Sequence, residues 1–190
     1  MRTFFNGKSS IPWLLVSLLF LSGCLRGASG APSFVPPEDF RLIEGVPFFP
    51  DDSYLCGPAS VAAVLSHAGY PTTLDEARRG VSARGPGGSL GPDLVIYARE
   101  RGASASFFSA SAEELTEHIG RGVPLIVEVD YGFLGVVKAH FMVIVGYSPE
   151  GVVANTGTTS GELIPWASFL SSWKKMAYFA IRVEGKGEAG

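Results

Sequence analysis

Apolar residues recur at helical spacing along Val61, Val64, Leu65 and Ala68, the buried stripe of a helix predicted over residues 57–68. Pro58 suits its first turn, where a missing N–H leaves no bond unmade, and Gly69 suits its stop. Two capping boxes announce further helices, Thr73 with Glu76 opening 74–79 and Ser111 with Glu114 opening 112–119. Residues 93–101 carry the same period. Past residue 120 the pattern turns to β-rich runs at 124–129, 140–147, 151–154 and 176–183, interrupted by a short helix at 165–172. A helical first half followed by a strand-rich second half predicts an α+β domain, its N-terminal helices packed on an antiparallel β-sheet.

Composition narrows the function classes. With 190 residues, 46% hydrophobic and 17% charged, the chain suits one folded domain with appendages rather than disorder. The formal net charge is −3 and basic residues are scattered, so nucleic-acid binding is not expected. Two cysteines are too few for a disulfide lattice or a four-sulfur zinc site. No His and carboxylate cluster has metal-ligand spacing, so neither a metal nor another cofactor is expected.

The first segment has its own logic. Arg2 and Lys8 precede an apolar stretch at 11–21, and Leu21-Ser22-Gly23-Cys24 closes it. The stretch is short of the roughly 20 residues that span hydrocarbon. This segment resembles a bacterial lipoprotein signal with its lipobox. The resemblance implies a signal peptide over 1–23, cleavage before Cys24, and lipid on Cys24 that anchors the protein to a membrane without spanning it. Leu25 stands where an Asp would resemble the inner-membrane retention signal, which points to the outer membrane, facing the periplasm. Residues 24–39, rich in Gly, Ala, Ser and Pro, read as a flexible tether. The domain is expected over 40–184, with a flexible tail at 185–190.

Once Cys24 is acylated, Cys56 is the sole free thiol in an oxidising compartment, which suggests reactivity. It stands immediately before the predicted helix, where the helix dipole and unpaired N–H groups favour a thiolate. Attack on an amide also needs an imidazole. His67 lies about three turns along the same helix, roughly 16 Å away, and His118 sits near a helix end. His140 enters the apolar strand Phe141-Met142-Val143-Ile144-Val145, at an edge from which it can face a cleft. A hairpin turning at 146–150 would return Asn155 beside it, as the third group that orients the imidazole; Asn155 also reads as a plain turn residue. Phe48, Phe49, Tyr131, Phe133 and Trp166 either line that cleft or fill the core, and the glycine-rich stretch at 84–91 reads as a loop bordering it.

VPFFPDDSYLCGPASVAAVL, GGSLGPDLVIYARERG and AHFMVIVGYSPEGVVANTG resemble the three blocks of the papain-like bacteriocin-processing, double-glycine leader peptidase family, most closely its stand-alone lipoprotein-type relatives. The resemblance spans residues 46–183. It implies a papain-like cysteine peptidase fold, a peptide or protein substrate, Cys56 as nucleophile, His140 as general base and acid, and Asn155 as orienting residue. One position departs. The family carries a Gln five or six residues before the cysteine, whose amide donates to the oxyanion; here stand Pro50 and Asp51. The Cys56 N–H remains as one donor, and protonated Asp51 or the Ser53 hydroxyl are the available second partners. The implied activity is therefore a membrane-anchored cysteine peptidase. The alternative is a weak or inactive relative that binds an extended peptide or supports an envelope complex.

Overall fold

The computed structural model describes Met1 and residues 34–51, 54–82 and 89–187. The expected signal peptide, Cys24 and the tether as far as residue 33 lie outside the described residues, as do Ser53, most of the glycine-rich loop and the end of the tail.

The first half runs β1 (Arg41–Leu42), α1 (Cys56–His67), α2 (Leu74–Ser82), α3 (Gly91–Glu100), β2 (Ala105–Ser109) and α4 (Ala112–Gly120). The second half runs β3 (Leu125–Asp130), β4 (Ala139–Tyr147), β5 (Gly151–Thr156), β6 (Thr159–Pro165), α5 (Trp166–Lys175) and β7 (Phe179–Val183). This is an α+β fold. Its antiparallel sheet has the order β2-β7-β3-β4-β5-β6, with β1 paired to the far end of β4. Helices cover both faces, so two hydrophobic cores flank the sheet. Val61, Leu65, Leu94, Phe141 and Val143 lie in one, and Leu115, Met142, Ile144, Phe169 and Trp173 in the other. The alternation of Phe141, Val143 and Val145 with Met142 and Ile144 along β4 is the period of two that lets one strand serve both cores.

Both capping boxes form. Ser111 Oγ accepts from the Glu114 N–H at 3.1 Å while Glu114 returns an acceptor to the Ser111 N–H at 2.7 Å. Thr73 and Glu76 exchange the same pair. The one-sided stripe expected on α1 is wrong in extent: residues 57–65 are all buried, because α1 lies between α2, α3 and β4. The last strand begins three residues later than its apolar run suggests. Ala177 and Tyr178 take positive φ and turn the chain out of α5 before pairing resumes.

Two features of the fold hold Cys56 in place. A Cβ on Gly57 would lie 2.6 Å from Ser89 Cβ, so the residue after the cysteine must be glycine for α1 to start this close to the entrance of α3. On the other side, the Asp51 N–H donates to Gly157 O at 2.8 Å, stitching the approach to α1 onto the β5–β6 turn.

Candidate active site

Cys56 is the first residue of α1 and is half-buried. The backbone N–H groups of Phe141, Gly57 and Cys56 itself favour the thiolate. Burial opposes them and dominates, and the charge of Asp51 adds to it, so the thiol is pushed above its ordinary value. The helix start alone had suggested the opposite. Desolvation and a neighbouring carboxylate both disfavour a second negative charge, and here they outweigh the N–H groups.

His140 is the second residue of β4, opposite Val129 on β3. Its chain neighbour Phe141 lines one cleft with Cys56, so the helix start and this strand end lie side by side, and the Phe141 N–H favours the Cys56 thiolate. Burial pushes the imidazole below its usual value, with Lys138 acting in the same sense and Asp51 and Glu162 pulling it up. With the histidine shifted down and the thiol up, the resting pair near neutrality is thiol and neutral imidazole. Asp51 is buried at 7% exposure, its Oδ1 accepts the Leu55 N–H at 3.2 Å, and its charge reaches both Cys56 and His140.

The third group is where sequence and structure differ in detail. His140 Nε2 meets Thr156 Oγ1 at 2.8 Å. Asn155 is buried beside it, and its Oδ1 accepts from Ser160 Oγ and the Gly161 N–H, both at 3.0 Å, bracing the β5–β6 turn. Successive residues of a regular strand face opposite sides. Pairing with β6 shifts register between Ala154 and Thr156, and both Asn155 and Thr156 line the cleft with Phe48, Phe49, Asp51 and Cys56. Sequence reasoning passed over Thr156; its signal was a hydroxyl one step beyond Asn155, just before Gly157. When Nε2–H donates to Thr156, Nδ1 carries no proton and is free to accept one. Thr156→Val is expected to lower the turnover of any His140-dependent reaction about fivefold, the value of one hydrogen bond of about 1 kcal/mol. Thr156→Ser should restore both the rate and the acid limb of its pH profile.

Of the aromatic residues expected near the cleft, Phe48 and Phe49 line it. The Tyr131 ring lies 5.9 Å from the His140 ring. Trp166 is buried instead, donating to Ser148 O at 2.9 Å and packing on Phe34, a residue inside the stretch read as tether. Phe133 is exposed, away from the cleft. His67 contacts Gly122 O and His118 packs on Phe108, both apart from Cys56. Among the described residues, no three His, Cys, Asp or Glu side chains gather as a metal-binding set.

The model of the Peptidase_C39 like family matches residues 42–181. Among solved structures, a candidate C39-like peptidase from Bacillus anthracis is similar with a TM-score of 0.67 at 17% identity, over 78% of this chain and 99% of that one. A double-glycine motif protease from the AMS/PCAT transporter, solved in complex with a leader peptide, gives 0.60 at 20% identity, over 78% and 100%. The peptidase domain of Streptococcus ComA, a bifunctional ABC transporter of a quorum-sensing pathway, gives 0.59 at 22%, over 77% and 98%. The search of curated proteins finds no match.

Proposed function

This chain belongs to the Peptidase_C39 like family, and from that premise we propose that it is a cysteine peptidase acting through Cys56 and His140. The papain-like fold of the double-glycine peptidase domains supports the class. One observation carries the residue assignment: Cys56, the first residue of α1, and Phe141, the residue after His140 on β4, line the same cleft.

The chemistry follows from that placement. The Cys56 proton passes to His140 as sulfur attacks the substrate carbonyl carbon, and the carbonyl oxygen becomes an oxyanion. The Cys56 N–H is positioned to donate to it. Collapse breaks the C–N bond, the imidazolium gives its proton to the leaving amine, and an acyl-thioester remains. Water, deprotonated by His140, then releases the carboxylic acid and restores the thiol. Thr156 holds the ring through Nε2, and Asn155 holds the turn that carries Thr156. In this reading the substrate is an extended peptide lying across Phe48 and Phe49; a leader peptide occupies the corresponding relative's structure. Lipid on Cys24 would tether the enzyme to the envelope membrane.

Asp51 favours a second reading. At the position of the missing glutamine stands a buried acid whose charge opposes both the thiolate and an oxyanion. This describes a weak peptidase, or a protein that holds a peptide in the cleft without cutting it. The two readings separate when the intact protein is incubated with extended peptides bearing small residues and new amino termini are read by mass spectrometry. New termini that vanish when Cys56 is alkylated with iodoacetamide are the expected result. A peptide that binds and is recovered whole would favour the binding reading.

A further inference from the structure

The loop joining β3 to β4 turns its apolar side chains into solvent. Phe133 is 78% exposed and Leu134 87%, with Val136 and Val137 close behind. None of these lines the cleft, although His140 lies only three residues beyond Val137. Exposed apolar residues scattered singly need no explanation, but four within five positions on one tip do.

This tip is built rather than loose. Asp130 Oδ1 accepts the Gly132 N–H at 2.6 Å and the Lys138 N–H at 2.7 Å, pinching the loop at its base. Lys175 Nζ donates to Gly132 O at 2.8 Å from the end of α5, and the Val136 N–H closes the tip onto Phe133 O. Leu134 sits at φ +51°, a conformation unusual for a leucine, and Gly135 follows it at φ +82°. The framework holds the apolar side chains outward.

Its surroundings are cationic. Lys138 follows the tip, exposed Lys174 and Lys175 end α5, and Lys175 reaches the loop base at Gly132 O, where its charge also faces the Asp130 carboxylate. The Asp130 carboxylate is engaged under the loop. Glu162 is the acid on the other side, its charge reaching Tyr131 at the loop base and His140. An apolar point in a lysine collar matches the interface of an anionic bilayer, where acyl chains take the point and phosphates the collar. The tether agrees in length. Ten residues separate Cys24 from Phe34, a reach of at most about 35 Å, and Phe34 packs on Trp166 at the start of the α5 helix that ends in Lys174 and Lys175, about 15 Å away along its axis.

We propose that residues 133–137 form a membrane-docking tip that inserts into an anionic bilayer surface and turns the Cys56 cleft toward substrates at that surface. The proposal takes only the tether length from the lipid-anchor reading, and its test keeps the two apart. Phe133→Trp in the intact chain, mixed with phosphatidylglycerol vesicles whose acyl chains are brominated, is compared with Leu163→Trp, an exposed site on β6. The tryptophan at 133 should shift to the blue and be quenched, and the one at 163 should not. Lys138→Gln with Lys174→Gln should weaken vesicle binding about 25-fold, fivefold for each lysine, while Lys175 is left to brace the loop. Equal quenching at both sites would mean the chain is merely held near lipid and would overturn the proposal. So would a tryptophan at 133 that ignores vesicles but responds to a peptide substrate. Retention on vesicles through an alkaline wash reads the anchor separately. If Cys24→Ser leaves retention unchanged, the anchor fails while quenching at 133 still decides the tip.

Discussion

Asp51→Gln is expected to raise kcat/KM for peptide hydrolysis at neutral pH by about 10²- to 10³-fold, the usual value of one oxyanion donor. Asp51 is buried, close to Cys56, and aimed by its bond to the Leu55 N–H. A carboxylate there offers only acceptors to the oxygen that becomes negative during attack. It also presses on the sulfur, since the Asp51 charge is among the causes that push the Cys56 thiol up. A glutamine removes the charge, supplies an N–H donor, and keeps an oxygen for the Leu55 N–H. The thiol should fall as the rate rises, because both changes remove the same carboxylate. Asp51→Asn, shorter but also neutral, should show the lowered thiol with a smaller gain in rate. Initial rates on a cleavable peptide decide the matter. Variants no faster than the parent would place Asp51 outside the oxyanion site.

In the same Asp51→Gln background, Cys56→Ala and His140→Ala are each expected to lower kcat by about 10⁴-fold or more, and the double variant should fall no further. The reason is mechanistic dependence. Without sulfur the imidazole has nothing to deprotonate, and without imidazole a buried thiol biased toward its neutral form supplies little nucleophile and no acid for the leaving amine. Single-turnover rates for the three proteins test this directly. Additive losses would show that the two residues act separately.

Much of this was legible in the chain, for identifiable reasons. The Cys56-Gly57-Pro58 helix start, both capping boxes and the apolar run after His140 are local patterns, and local patterns fix elements to within a few residues. What was missed depends on partners distant in sequence. β2 is a short strand whose meaning comes from pairing residue by residue with β7. β6 is exposed along almost its whole length, so it carries no alternation to read. The choice between Asn155 and Thr156 as the imidazole's neighbour turns on a register shift of one residue against β6, and a one-residue shift decides which side chain faces the cleft. The same limit applied to Phe133, which read as a cleft or core aromatic but stands on the exposed tip. Asp51 was visible as a departure from the family pattern. That its charge falls on the thiol and the imidazole together emerged only from the folded arrangement.

In the proposed reaction Cys56 is a nucleophile served by His140 and restrained by Asp51. The most direct measurement is the rate of iodoacetamide modification of Cys56 against pH, in the parent, in Asp51→Gln, and in Asp51→Gln with His140→Ala. The parent should react slowly at neutral pH with its inflection above that of a free thiol, Asp51→Gln should react faster with a lower inflection, and that neutral-pH reactivity should be lost when His140 is also removed. Three superimposable profiles would contradict it, leaving Cys56 a buried thiol with no chemistry to perform.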